Sequence, residues 1–274
     1  MISQWDHWYH DMLAKLIGRN RSMNERTGEE VYALPCLGFT LEPSNLIPVL
    51  STRRMYPKSA AAEVAWQLMG TQSVEWINKH CPLWKDFADE RGVVESAYGW
   101  RWKREWGFDQ LNEVMVKLMN DPSSRQCHIT TFSPHDLVEP KPNIPCPTAF
   151  TVNIINNQLH MSVHMRSSDV LVGLPYDVMA YAYLQSAMAA TLHVSTGCLQ
   201  FTLAHAHLYQ KHEEIALTMI GKYNDGHAKG EPYSPYRKSW SMKEILDAPD
   251  DYVEQVQITT PNGHPYRPKP EIFQ

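Results

Sequence analysis

The chain has 274 residues, 43% hydrophobic and 20% charged, which is enough to bury a sizeable core. A net charge of -5 gives no electrostatic reason to expect a nucleic-acid polymer or an anionic membrane as a partner. Five irregularly spaced cysteines, no bilayer-spanning apolar run and no signal-peptide pattern predict a reduced, cytoplasmic protein.

Helical and strand-like patterns mix in the first half of the chain. Helix formers and apolar residues at helical spacing predict three helices, over residues 3–18, 58–70 and 109–121. Gly70 is placed to end the second helix, and Asp109 to cap the third. The segment VYALPCLGFTL, residues 31–41, is strand-like.

The second half contains a hairpin, a long helix and a further strand. Two strand-like segments flank Asn156-Asn157, a good hairpin signal. The second of them alternates, with Leu159, Met161, Val163 and Met165 on one face and His160, Ser162, His164 and Arg166 on the other. An apolar helix (175–192), a strand (198–209) and a helix (210–220) follow, and the last ~50 residues are weakly patterned. Strands and helices without regular βαβ alternation predict an α+β fold, in one domain over residues 1–274.

Cys146 is the best-placed nucleophile among the cysteines. It lies between two prolines in IPCPTAF, and these hold the backbone extended and present the thiol rigidly at a strand start. Cys36, Cys127 and Cys198 lie in apolar strand-like patterns and are predicted to be core residues. A free cysteine is usually a small buried hydrophobe, and for Cys146 taken alone that interpretation stays open.

Two carboxylates have both a functional and a structural interpretation. Glu63 interrupts AAAEVAWQLM, either on a solvated helix face or in a cleft where burial raises its pKa for acid–base chemistry. Asp177 lies in the first turn of the long helix, where a carboxylate commonly satisfies free backbone N–H groups. The residues alone leave both alternatives open.

A polar strand end, Arg166-Ser167-Ser168, combines a guanidinium with two hydroxyls and would suit a phosphate. A plain surface strand end is the alternative. Three further arginines are candidates to join it: Arg26, Arg53 and Arg125.

The histidines of HAHLYQKH invite a metal interpretation, because His205 and His207 point the same way from a strand. No third ligand at fixed spacing follows, so we predict no metal. Hydrogen bonding of a polar ligand by His207 and Tyr209 is the other interpretation.

Together these segments resemble the thymidylate synthase family, in its order and spacing over most of the chain. RTG, PCPTAF, RSSDVLVGLPYD and HAHLYQKH are similar to its phosphate-loop, nucleophile, nucleotide and sugar-binding signatures, and ADERGVVESAYGWRW to the segment ending in its tyrosine-glycine. The resemblance implies a large mixed sheet flanked by helices, with sheets packed back to back in a homodimer. It also implies a pyrimidine nucleoside monophosphate as substrate and 5,10-methylenetetrahydrofolate as one-carbon donor.

The resemblance implies a role for each matching residue. Cys146 would add to C6 of the pyrimidine, and Glu63 would be the acid–base residue. The residues implied to hold the nucleotide are Arg26, Arg125 (from across the dimer interface), Arg166, Ser167, Ser168, Asp169, Asp177, His207 and Tyr209. Those implied on the folate side are Tyr56, Glu63, Trp84 and Asp169. The chain departs from the family at Gln126, Pro147 and Tyr56, and its end, KPEIFQ, does not clearly match the closing tail.

The most telling departure is Asp177, where thymidylate synthases carry asparagine. An asparagine amide matches the N3–H and O4 of uracil, whereas a carboxylate accepts from N4 of cytosine and shares a proton with N3. The pattern is similar to the deoxycytidylate 5-hydroxymethylases, which are often virus-encoded. It predicts one-carbon transfer to C5 of dCMP followed by water addition, with Asp177 as a catalytic residue.

Alternatives within the same chemistry are a dCMP 5-methyltransferase, a CMP hydroxymethylase and a thymidylate synthase acting on dUMP. From other classes, a metal-dependent hydrolase would need zinc or iron at His205 and His207. A non-catalytic binding module would bind dCMP without exchanging its C5 hydrogen.

Overall fold

The computed structural model describes residues 3–25, 27–44, 46–138, 144–226, 233–235 and 239–256. Its α-helices are α1 (Gln4–Ile17), α2 (Pro57–Met69), α3 (Tyr98–Lys103), α4 (Gln110–Asn120), α5 (Leu174–Thr191), α6 (Glu213–Asn224), α7 (Met242–Asp247) and α8 (Pro249–Gln255). Its strands are β1 (Arg21–Asn24), β2 (Glu29–Leu41), β3 (Leu46–Pro48), β4 (His128–Thr130), β5 (Pro147–Ile155), β6 (Gln158–Met165), β7 (Ser168–Asp169), β8 (Ser195–Tyr209) and β9 (Tyr233–Pro235). Short 3₁₀ helices cover Ile77–Lys79, Pro82–Phe87, Pro134–Leu137 and Gln210–His212.

Seven of the described strands form one mixed sheet, in the order β1-β2-β8-β6-β5-β4, with β7 beside β8. The strands β6 and β7 run parallel to β8, and the other neighbours are antiparallel. Strands β3 and β9 pair separately. The predicted α+β fold, a large mixed sheet flanked by helices, is confirmed. Back-to-back packing in a dimer and a single domain over residues 1–274 stay predictions.

The packing of α5 brings two acidic residues together. This helix is buried along most of its length, because β6 and β8 contact it from the sheet and α2 packs beside it. The α2–α5 contact brings Glu63, in the middle of α2, to the first turn of α5, where Asp177 lies. Two helices distant in sequence thus contribute acids to one place.

Local signals in the sequence predicted several element ends correctly. The Oγ of Ser3 accepts a hydrogen bond from the N–H of Asp6 at the start of α1, and Asp109 caps α4 in the same way. Gly70 ends α2 at a φ of 62°, in the left-handed region that favours glycine. Asn156 and Asn157 turn the β5–β6 hairpin with φ values of 52° and 59°.

The prediction that Cys36 is a core residue is wrong. Cys36 has a φ of 55°, which interrupts the alternation of β2 so that Pro35 and Cys36 are both exposed. Cys127 is buried as predicted, and Cys198 is half-buried. Across the described ranges, no helix is long and apolar enough to cross a membrane.

Candidate active site

Cys146 and Arg166 are held together at the ends of two neighbouring strands. Cys146 directly precedes β5 and is half-buried, as expected from its proline frame. Arg166 directly follows β6, and its guanidinium donates to the carbonyls of Pro145 at 2.9 Å and Ile144 at 2.7 Å. The Arg166 backbone N–H also donates to the Cys146 carbonyl at 2.9 Å. A cation is therefore fixed to the backbone that presents the thiol, and a nearby cation favours the nucleophilic thiolate.

Glu63 lies in a cleft and not on a solvated helix face. Its side chain is half-buried, and removal from water raises the pKa of the carboxyl to about 7. The Trp84 indole and the Cys81 thiol oppose that rise, and the Cys81 Sγ lies 3.5 Å from Glu63 Oε1. Glu63 is thus poised to take up and release a proton near neutral pH.

Asp177 does not cap its helix. Gly173 is the N-cap of α5, no side chain caps that end, and the Asp177 carboxylate forms no hydrogen bond or ion pair with any residue in the described ranges. Burial raises its pKa well above the ordinary value, and the nearby carboxylates of Glu63 and Asp169 raise it further. The structure therefore disfavours the capping interpretation and presents a carboxyl that keeps its proton to higher pH.

Tyr98 connects these groups. Burial raises its pKa well above the usual value, and the charges of Cys146, Asp177, Tyr181 and Glu63 add to that rise. A single tyrosine therefore senses the nucleophile and both acids. Cys146, Glu63 and Asp177, predicted as catalytic from distant parts of the sequence, thus all lie close enough to Tyr98 to raise its pKa.

A second group of predicted residues lies where β7 joins β8. Asp169 pairs with His207 across these strands, and Ser167 Oγ lies 3.5 Å from His207 Nδ1. The ring of His207 meets the ring of Tyr209 edge-on, with centroids 5.2 Å apart. Asp169 Oδ1 also accepts the backbone N–H groups of residues 171 and 172, which fixes the loop entering α5.

Ser168 points away from this group. It is 1% exposed, and its Oγ has no hydrogen-bond partner among the described residues. The strand alternation that turns Ser167 outward turns Ser168 inward. Arg53 is also turned inward, with its guanidinium donating to the Leu171 carbonyl. Of these three residues, Ser167 therefore lies with His207, whereas Ser168 and Arg53 are turned inward.

An aromatic group lies beside Glu63. Trp84 packs against Trp66, Phe87 and Tyr98, with ring centroids 4.8–5.9 Å apart. Its neighbours Leu83 and Phe87 are exposed, as is Tyr56, whose ring lies under the Arg54 guanidinium. Exposed apolar and aromatic side chains beside a cavity fit a planar, partly apolar ligand.

Two predicted phosphate ligands, Arg26 and Arg125, stay predictions. Arg26 lies outside the described residues, as does the closing tail KPEIFQ. Arg125 is exposed on the loop between α4 and β4. His205 is exposed and its ring centroid lies 5.5 Å from that of His207; no group of three metal-binding side chains occurs in the part of the chain that the structure describes.

No individual sequence signal marks Tyr98, Tyr181 or Cys81. All three surround the acids, and none carries a spacing or neighbour pattern that sets it apart. Only the segment ADERGVVESAYGWRW, taken whole, pointed towards Tyr98.

Two comparisons with known proteins relate the chain to one family. Residues 7–231 match the family model described as thymidylate synthase, which is most of the chain. A thymidylate synthase of Buchnera aphidicola subsp. Baizongia pistaciae (strain Bp) is 29% identical over 221 residues, covering 77% of this chain and 82% of the relative.

Proposed function

The chain belongs to the thymidylate synthase family, a family of folate-dependent one-carbon transferases, and we propose that within it the substrate is a cytidine nucleotide, dCMP, and the product 5-hydroxymethyl-dCMP. The observation that carries the proposal is Asp177. A half-buried carboxyl without a partner among the described residues stands where the family carries an amide.

The chemistry of cytosine explains why an acid helps. The N4 amino group donates, and N3 accepts a proton as negative charge enters the ring. A carboxyl accepts from N4 and delivers its proton to N3, so that the ring becomes neutral as the nucleophile adds. An amide in that place has no proton to transfer, and it would present its NH₂ group to the N4 amino group, leaving buried donors unpaired.

Cys146 supplies the nucleophile. Its thiolate forms a bond to C6, the C5–C6 double bond opens, and the electron pair makes C5 nucleophilic. Arg166 fixes the segment that presents the thiol through two of its guanidinium nitrogens. The third nitrogen has no partner in the described ranges and is available to the nucleotide phosphate, together with Ser167 and, by resemblance, Arg26.

The sugar and the acid–base steps have their own residues. His207 and Tyr209 are placed side by side to bind a sugar hydroxyl, next to Ser167. Glu63, with a pKa of about 7, removes and returns protons around C5. The final step is addition of water to an exocyclic methylene on C5. Glu63 takes one proton from the water, and the oxygen of the water stays on the product. Cys146 then leaves C6 and the ring double bond re-forms.

The aromatic residues beside Glu63 support the proposed folate site. Trp84, with the exposed Phe87, Leu83 and Tyr56 nearby, offers apolar surface for a planar ring. These residues fit 5,10-methylenetetrahydrofolate, which when bound supplies a one-carbon unit at the oxidation level of formaldehyde. Asp169, at the loop before α5, is proposed to hold a polar edge of the pterin or the pyrimidine.

The decisive experiment separates substrate and product in one assay. The enzyme is incubated with methylenetetrahydrofolate and labelled dCMP, CMP or dUMP, and product mass and dihydrofolate absorbance are recorded. We expect dCMP to be converted, with the mass gain of a hydroxymethyl group and no dihydrofolate. Methyl product with dihydrofolate would indicate a methyltransferase, and preference for dUMP would refute the cytidylate proposal.

We also propose a homodimer in which Arg125 completes the neighbouring site. Its exposure on a loop leaves it available to a second subunit. Mixing inactive Arg125→Ala chains with inactive Cys146→Ser chains should restore activity, because one hybrid site then carries both native residues. Subunit exchange without any return of activity would contradict the cross-subunit role.

A further inference from the structure

Cys81 touches the acid–base carboxylate. Its Sγ donates to Glu63 Oε1 at 3.5 Å, and the residue is 7% exposed. It lies at the junction of two 3₁₀ helices, Ile77–Lys79 and Pro82–Phe87, and begins the second of them. Neither the cysteine pattern nor the family signatures single it out.

A second contact fixes the position of this thiol. Ser59, one helical turn before Glu63 on α2, donates its hydroxyl to the His80 carbonyl at 3.0 Å. Ser59 and Glu63 lie on the same face of α2, four residues apart. The same helix face therefore holds the backbone just before Cys81 and receives the thiol of Cys81.

We propose that Cys81 is a positioning residue for Glu63, whose thiol binds one carboxylate oxygen and leaves the other directed at the substrate. The kinetic consequence rests on the function proposed above. The contact itself does not, because it concerns two side chains of the free protein.

The surroundings of Glu63 explain why a donor is needed there. The titratable groups that face it are Cys81 itself, Asp177 from α5 and Tyr98 from α3. Burial favours the neutral carboxyl, and the hydrogen-bond donors Trp84 and Cys81 favour the ionised form. Without the thiol, Glu63 would keep its proton to a higher pH and would be free to rotate.

The test compares Cys81→Val, which keeps the volume and removes the donor, with Cys81→Ser, which keeps a donor. Cys127→Val is the matched control, because Cys127 is also buried and is not among the hydrogen-bond donors to Glu63, which are Trp84 and Cys81. Infrared spectra follow the Glu63 carboxyl band, assigned by its loss in Glu63→Gln, as a function of pH. The S–H stretching band of Cys81 is assigned by its loss in Cys81→Ser.

We expect the Glu63 titration to move upward by about 0.5–1 pH unit in Cys81→Val and to return towards wild type in Cys81→Ser. The limb of the kcat/KM profile that reports Glu63 should move with it, with kcat lowered roughly 3- to 10-fold at neutral pH and KM little changed. Cys127→Val should move neither. In Glu63→Gln the S–H band of Cys81 should shift, because its acceptor has changed.

The outcomes separate this proposal from the proposed function. If wild-type protein converts no nucleotide, the function fails while the infrared titration still reports on Cys81. If the Glu63 band titrates identically in Cys81→Val and wild type, Cys81 only fills space and the proposal is overturned. If Cys81→Val does not fold, an S–H band that stays unmoved in Glu63→Gln overturns it equally.

Discussion

Two acids in this protein, the buried Asp136 and the half-buried Asp177, have opposite surroundings. Asp136 is 3% exposed, and its carboxylate accepts two hydrogen bonds from the Arg101 guanidinium, at 2.5 and 2.7 Å, and a third from the Ser133 N–H. Asp177 forms no ion pair or hydrogen bond with any residue of the described ranges, and its charged neighbours are the acids Glu63 and Asp169.

The difference separates structure from function. A buried charge that is paired and fully hydrogen-bonded is consistent with a stable fold, and removing one partner is costly. Neighbouring carboxylates in a low-dielectric cavity oppose folding when ionised, and such groups concentrate where catalysis uses their shifted pKa values. We therefore expect Arg101–Asp136 to stabilise the protein, and we propose that Glu63 and Asp177 act on a ligand. Each variant below tests one side of this contrast.

The largest effect is expected from Cys146→Ser, on the functional side alone. A serine hydroxyl is a far weaker nucleophile than a thiolate, so turnover and release of the C5 hydrogen should fall by about 10³-fold or more. Nucleotide binding and the melting temperature should be retained, because the half-buried side chain changes little in size. Tritium release from C5, calorimetric binding and thermal melts measure the three. Normal activity here, with loss in Cys198→Ser, would refute the assignment of the nucleophile.

Asp136→Ala should instead act on the structural side of the contrast and lower stability. It removes the carboxylate that binds two guanidinium nitrogens of the fully buried Arg101, and leaves Glu105, 3.5 Å from Arg101 Nε, as the remaining acid. Breaking a buried pair in this way typically lowers the free energy of unfolding by about 3–5 kcal/mol, and urea unfolding measures the loss. The control is Asp11→Ala, which breaks an exposed pair with Lys15 and should leave the unfolding midpoint nearly unchanged. Equal effects of the two substitutions would remove the structural side of the contrast.

Asp177→Asn should change substrate preference without lowering stability. The amide fits uracil and leaves cytosine's amino group facing a donor, which suggests ~2–4 kcal/mol of discrimination, or roughly 30- to 1000-fold in relative kcat/KM. The check is kcat/KM for dCMP and dUMP in both proteins, with thermal melts. Since no side chain caps α5, the substitution removes no cap. An unchanged ratio would withdraw the cytidylate proposal.

The sequence predicted local features well and long-range contacts only through resemblance. Ser3, Gly70 and the Asn156-Asn157 turn act through neighbours in sequence, so their patterns were sufficient. The weakly patterned C-terminal region does contain α7, and its capping box of Ser241 and Glu244 was a local signal that went unused.

The contact between the two acids, unlike these local features, could not be predicted from patterns in the sequence. Glu63 and Asp177 come together because α2 packs against α5, and no periodicity within either helix encodes that contact. The Arg101–Asp136 pair is likewise set by tertiary packing. The prediction for Cys36 was wrong for a related reason, because a single residue with left-handed backbone conformation reverses the strand alternation on which the core prediction relied.

The smallest effect concerns Glu63 and the pH dependence of stability. Its pKa is about 7 in the folded protein against an ordinary value of 4.5, so between these values the folded state binds more protons than the unfolded state. Stability should therefore be fully present below the lower value and fall as pH rises through the window, by about 1–3 kcal/mol. Glu63→Gln does not titrate and should lack this fall.

The measurement is the difference in unfolding free energy between Glu63→Gln and wild type, from urea denaturation at about pH 5 and about pH 7.5. We expect the difference to grow in favour of the variant at the higher pH. Asp177 has its pKa raised by the same cavity, so adding Asp177→Asn should flatten the remaining slope further. A difference that does not depend on pH would mean that Glu63 titrates like an exposed glutamate. The ionised acids would then not lower the free energy of unfolding. The contrast with Arg101–Asp136 would no longer distinguish function from structure.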